Sequence, residues 1–304
     1  MPRISKRSDE RGVTLVELVV VLVLLGILSA VAAVALRDPV IAYRDSQRRA
    51  EITDMADTAL RRIARDVRRA LPNSVRLTGN NLEMLLTKTG GRYREFQNNL
   101  GQGDDLDFST PDISFDTIGP MAAPAGQAAQ AGDLVVIFNL FPHPGTLVSN
   151  AYNRGACGAN NTPNCNTAVI DAIGNGDVGA NETKITFTAQ RRFPQPSPGN
   201  RFYVIENSPV TYACENVNVA VDNEGRNNGT GVLRRVSNYP IALGQPAGPF
   251  GAAPILARFV SACQITYNPS ALNQRLGLVT IFLQLTRGGE TVTLYHEAHV
   301  LNIP

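Results

Sequence analysis

Glu17 is the residue that most needs a reason. It stands near the start of the run "VTLVELVVVLVLLGILSAVAAVAL", just after Gly12 and a leader carrying Arg3, Lys6, Arg7 and Arg11. A carboxylate costs about 2.5–3.5 kcal/mol at the centre of a membrane and less near its edge, so one kept in such a segment is read as functional. Its chemistry there is to find a cation: a charge pair in low dielectric is strong, and desolvation offsets much of the gain. A second constellation is four cysteines, Cys157, Cys165, Cys214 and Cys263. An even number reads as two disulfides with three connectivities open, and no C-x-x-C spacing favours a metal instead. Cys157–Cys165, stapling an Asn- and Gly-rich stretch, and Cys214–Cys263, tying two strands, are the favoured pairs. Loop entropy gives them roughly 2.5 and roughly 4 kcal/mol. A third is "HEAH", with His296 and His299, which is one residue short of the zinc-protease motif and falls in a predicted strand. Residues three apart on a strand point to opposite faces and cannot share a metal.

These groups need elements to hold them. Leu18 to Leu36 is uncharged over nineteen residues, about 28 Å as a helix and close to the ~30 Å hydrocarbon core. The basic residues ahead of it favour a cytoplasmic N-terminus with the following chain exported, a compartment in which disulfides persist. A cleaved secretory signal ending near Ala33–Ala35 is the competing reading. It leaves Glu17 as pure cost, and the helical pattern continues past it. Asp38 and Pro39 can restart or kink the helix. Beyond them Ile52, Met55, Ala59, Leu60, Ile63, Val67, Ala70 and Leu71 recur at threes and fours and define one apolar face. Arg48, Arg49, Arg61, Arg62, Arg65 and Arg68 share the other face with Glu51, Asp54 and Asp57, read as solvated, and Pro72 ends the helix.

Downstream the period changes to that of strands. They are expected from Leu82, Asp133, Thr183, Arg201, Val210 and Ile255, and on either side of "RGGE" (Arg287 to Glu290), a hairpin signal. Stretches 119–132, 150–182 and 244–254, rich in Gly, Pro, Asn and Ala, read as surface loops. The expected fold class is α+β, a long N-terminal helix packed along an antiparallel sheet with long loops. The expected divisions are 1–12 leader, 13–36 membrane helix, 37–71 amphipathic continuation and 72–304 globular domain.

The segment "RGVTLVELVVVLVLLGIL" resembles the N-terminus of type IV prepilins and type II secretion pseudopilins. The resemblance implies that a prepilin peptidase cuts between Gly12 and Val13 and that Val13 is then N-methylated. Counted from Val13, Glu17 is the fifth residue, the family's conserved acid position, while Val13 stands where the family more often has Phe or Met. The new α-amine is cationic at neutral pH, and the implied role of Glu17 is to meet the amine of a neighbouring subunit during assembly. "PVTYACE", "GVLRRVSNYPI", "VSACQITY" and the final "LVTIFLQLTRGGETVTLYHEAHVLNIP" are similar to a minor pilin of mannose-sensitive haemagglutinin pili (O-type) and to J-type minor pseudopilins. That implies a pilin-like fold, a place in the inner membrane with a periplasmic domain, and a minor subunit that starts or caps assembly. Its partners are then the prepilin peptidase, other major and minor pilins or pseudopilins, and the inner-membrane assembly platform. Some pseudopilins bind Ca2+; "GDDLD" (Gly103 to Asp107) and "DNEG" (Asp222 to Gly225) are the two acidic loops to consider, and neither has a calcium-loop spacing.

The net charge is only +2 and the part beyond residue 12 is neutral, so nucleic acid is not an expected partner. No nucleophile elbow or phosphate loop is present, and no cofactor or enzymatic activity is expected. The alternative to a structural subunit is a pilus-tip adhesin binding through its long loops. Against it, loops 119–132 and 150–182 hold one aromatic, Tyr152, and the chain has no Trp.

Overall fold

A run of Val, Leu, Ile and Ala with few breakers makes the N-terminal half of α1 (Leu15–Arg68), and a 3.6-residue apolar repeat makes the other half. The computed structural model describes residues 12–121, 123–140, 149–154, 157, 165–272 and 276–303. The leader, apart from Gly12, lies outside them, as does His143. Two compact units divide the chain, residues 1–50 and residues 51–304, and α1 contributes to both. Pro39 falls inside the helix without ending it.

In the first unit almost every large apolar side chain is exposed: Val16, Leu22, Ile27 and Val34 are 58–75% accessible. The helix is long and apolar enough to cross a membrane once. Ser29 returns its hydroxyl to the Leu25 carbonyl at 2.7 Å, which hides a polar group that would otherwise be costly in lipid.

The second unit is built on thirteen strands: β1 (Arg76–Thr78), β2 (Asn81–Arg92), β3 (Asp112–Asp116), β4 (Leu134–Ile137), β5 (Thr167–Gly176), β6 (Gly179–Arg191), β7 (Arg201–Glu215), β8 (Val219–Val221), β9 (Asn227–Gly229), β10 (Gly231–Val236), β11 (Ile255–Leu272), β12 (Leu276–Arg287) and β13 (Glu290–Leu301). Eleven form one antiparallel sheet in the order β13-β12-β11-β10-β7-β4-β5-β6-β3, with β2 pairing β7 and β1; β8 and β9 pair separately. β7 is the hinge of this order. Thr211 pairs with both Glu83 and Val236, and Val204 with both Thr89 and Val135. β2 therefore holds one edge of β7, while β10 and β4 share the other. Helix and sheet together make an α+β fold.

Ile52, Ala56, Ala59, Leu60, Ile63, Ala64, Val67 and Ala70 bury against Leu82, Met84, Tyr212, Leu233, Ile265, Ile281 and Leu283. The expected stripe thus covers the sheet. Each fully buried Ile or Leu contributes about 1.5–3 kcal/mol. An aromatic cluster, Tyr93, Phe115, Phe187, Phe193 and Phe202, fills a second core under β3 to β6. The RGGE turn is a two-residue hairpin: Arg287 pairs Glu290, and Gly288 and Gly289 have φ of 59° and 90°, as a type I′ turn requires.

Two expectations need correction. The stretch 150–182 is not one loop, because β5 and the first residues of β6 occupy its second half. Asp171, Gly174 and Asn175 are all exposed in β5; Gly174 and Asn175 are fixed by pairing with Lys184 and Thr183 of β6, and Asp171 stands at the register shift between Ile170 and Ala172. The two strands expected from Arg201 and Val210 are one, β7. Pro209, which cannot donate to a ladder, falls where the register with β2 shifts between Leu85 and Thr87, the usual place for a strand proline.

Candidate functional site

The N-terminal site is assembled by helix capping. Thr14 precedes α1, its carbonyl accepts the first helical bond from the Leu18 amide at 3.1 Å, and its hydroxyl accepts from the Glu17 amide at 3.3 Å. Thr14-x-x-Glu17 has the spacing of a capping box. Glu17 lies in the first turn, where the helix dipole favours an anion. The carboxylate therefore has a local reason to be tolerated, which the Thr14–Glu17 spacing signals. Gly12 and Val13 precede the helix without regular structure, Val13 is 70% exposed and nothing lies within 4 Å of where a Gly12 Cβ would be.

The four cysteines pair as Cys157–Cys165 and Cys214–Cys263. The second joins β7 to β11 across 49 residues of sequence with Cα atoms 6.4 Å apart, against the main core.

Buried polar residues that the sequence reading did not single out lock α1 and the strands together. Tyr212 donates to Asp66 Oδ2 at 2.6 Å, and Arg235 Nε donates to the same oxygen at 3.1 Å. Burial, then the Asp66 charge, push the Tyr212 phenol well above its ordinary value. Arg76 is 4% exposed and Glu83 is 0%. The guanidinium donates to Glu83 Oε1 at 2.9 and 2.5 Å and to the carbonyls of Leu243 and Ala242 at 2.6 and 3.0 Å. It also lies 3.7 Å from the centre of the Tyr152 ring. Burial raises the Glu83 carboxyl even against the opposing pull of Arg76.

Three carboxylates of the acidic loops, Asp104, Asp107 and Asp222, are already engaged. Asp104 pairs with Lys184 at 3.2 Å and accepts the Ser114 hydroxyl. Asp107 accepts from Thr110 and Ser109, whose bonds hold it well below the usual carboxylate range. Asp222 accepts from Arg226 and from the Glu224 amide. Among the described residues no group of three or more His, Cys, Asp or Glu is placed to hold a metal ion. His296 faces the core side of β13 and His299 the outer side, as strand alternation requires.

With this geometry in place, comparison adds one finding. Residues 7–33 match the prokaryotic N-terminal methylation motif. No characterised protein and no solved structure matches the chain. The N-terminus is of the type IV prepilin kind, carried by pilin and pseudopilin subunits, and it implies processing by a prepilin peptidase and assembly with other pilins.

Proposed function

We propose that the protein is a minor pilin or pseudopilin: cut between Gly12 and Val13, N-methylated on Val13, and inserted once in the inner membrane with residues 51–304 in the periplasm. There it initiates or caps a type IV pilus or a secretion pseudopilus. The observation that carries this reading is the register of Gly12, Val13, Thr14 and Glu17, with α1 capped at Thr14 inside the matched segment. Cleavage would leave a cationic amine one residue before the cap, while Glu17 would be the acid a neighbour's amine can meet. A subunit docked out of register would leave Glu17 unpaired in an apolar bundle, so the pair would act as a registry device more than a source of stability. The long-loop adhesin reading loses part of its basis, since β5 and β6 occupy 167–182.

The test is incorporation. Glu17→Leu should insert in membranes as the wild type does, yet cross-link several-fold less to other pilins in sheared filaments. Equal incorporation would remove the assembly role of Glu17.

A further inference from the structure

β13 ends the sheet. It pairs with β12 over its full twelve residues, Glu290 opposite Arg287 through to Leu301 opposite Leu276, without a register shift. Its other edge pairs with no strand among the described residues. An open edge of this kind is a template for another strand, and proteins that keep one closed use charged side chains, Lys above all, or Pro, a bulge, a short strand or a covering element; β13 carries two such charges, Glu290 and Glu297. The sequence ETVTLYHEAHVL carries no Lys or Pro, and the ladder has no bulge.

The chemistry beside this edge selects a partner. Arg61, Arg65 and Arg68 on α1 and His296 on β13, together with Asp57 and Ala64, line a cavity of about 410 Å3. Asp57 is committed to Arg61 at 2.7 Å. Arg65 and Arg68 make no ion pair among the described residues. The Nε2 atom of His296 is shut off from solvent without a hydrogen-bond partner.

We propose that β13 is the docking edge for an extended acidic polypeptide segment of a partner protein, which adds as a further strand and sets alternate carboxylates against Arg65 and Arg68. Strand alternation puts every second side chain of an added strand on the face that His296 occupies. Carboxylates two residues apart on that strand are roughly 6.8 Å apart. Arg65 and Arg68 are separated by about 4.5 Å along the helix, a difference their long side chains span. Main-chain bonds supply affinity and the arginines supply the choice of partner. A second copy of this chain is the poorer occupant, because β13-to-β13 pairing brings two sets of these arginines together on one face. The inference uses only residues of the 51–304 unit and does not depend on the pilin reading.

The experiment uses the full chain in detergent micelles and a blocked peptide of alternating Glu and Val. Binding is read by titration, and the site by amide hydrogen exchange. The peptide should slow exchange at alternating amides between Glu290 and Leu301, and the same peptide with Lys in place of Glu should bind about tenfold or more weakly. Arg65→Glu combined with Arg68→Glu should reverse that preference. Both arginines are exposed, so the fold should survive, and the two peptides decide the matter on the wild type alone. Equal affinity for the two peptides would overturn the proposal. So would binding without protection of β13, or protection of β13 that grows with protein concentration in the absence of peptide.

Discussion

Tyr212 in β7 and Asp66 in the last turns of α1 share a hydrogen bond of 2.6 Å although 146 residues separate them in sequence. Arg235 reaches the same carboxylate oxygen from β10, so one acid fixes the helix to two strands. Asp66→Ala removes the acceptor of both donors and leaves a largely buried guanidinium unpaired. A loss of about 3 kcal/mol is expected in urea unfolding of the globular unit, and Asp66→Asn should recover part of it. A loss under about 0.5 kcal/mol would mean that the contact holds nothing.

The same pair gives a pH dependence at the alkaline end. The Tyr212 phenol is raised in the folded state by burial and by Asp66, so the folded chain holds a proton that the unfolded chain releases near pH 10. Its contribution is complete below that pH and falls as pH rises towards the folded value. Tyr212→Phe should be less stable than wild type at pH 8 and should lose less between pH 9 and pH 11. Parallel losses in the two proteins would contradict this.

Arg76 and Glu83 should respond unequally. Arg76→Ala strands a carboxylate that is 0% exposed and vacates the bonds to Leu243 and Ala242; about 3–5 kcal/mol is expected. Glu83→Gln keeps a hydrogen-bonding group of the same shape and drops a charge that burial already disfavours, so it should cost less than half as much. Thermal melts of both variants check the order.

The cysteine pairs should also separate. Replacing Cys214 and Cys263 by Ser opens a 49-residue loop and replacing Cys157 and Cys165 opens one of 8. Loop entropy then gives losses of about 4 and about 2.5 kcal/mol. Denaturant midpoints under oxidising conditions measure both.

The helix and its apolar stripe were legible because Ile52, Ile63 and Val67 repeat at helical spacing and their burial follows from it. The β12–β13 hairpin was legible from two glycines between alternating strands. β5 was not: Asp171, Gly174 and Asn175 are turn residues by type, and only pairing with β6 holds Gly174 and Asn175 extended, with Asp171 at the register shift between Ile170 and Ala172. Asp66 was hidden for a different reason. Nothing local marks it among the charges of α1, and its partners lie 146 and 169 residues away. Glu83 sits between Leu82 and Met84, and all three are buried because both faces of β2 are covered, a situation alternation alone does not describe. At the N-terminal site the methylation-type motif was readable from the sequence, whereas the cap from Thr14 needed the observed start of α1.

The central claim is that this chain is processed as a prepilin, and the mass of its mature N-terminal peptide tests it most directly. Membranes from cells containing prepilin peptidase should yield a chain that begins at Val13, one methyl group heavier than the unmodified residue, and cells lacking the peptidase should yield the leader intact. A mature chain beginning near Leu36 and free of the membrane would contradict the account, leaving α1 without its amine–carboxylate pair and the protein an ordinary secreted domain.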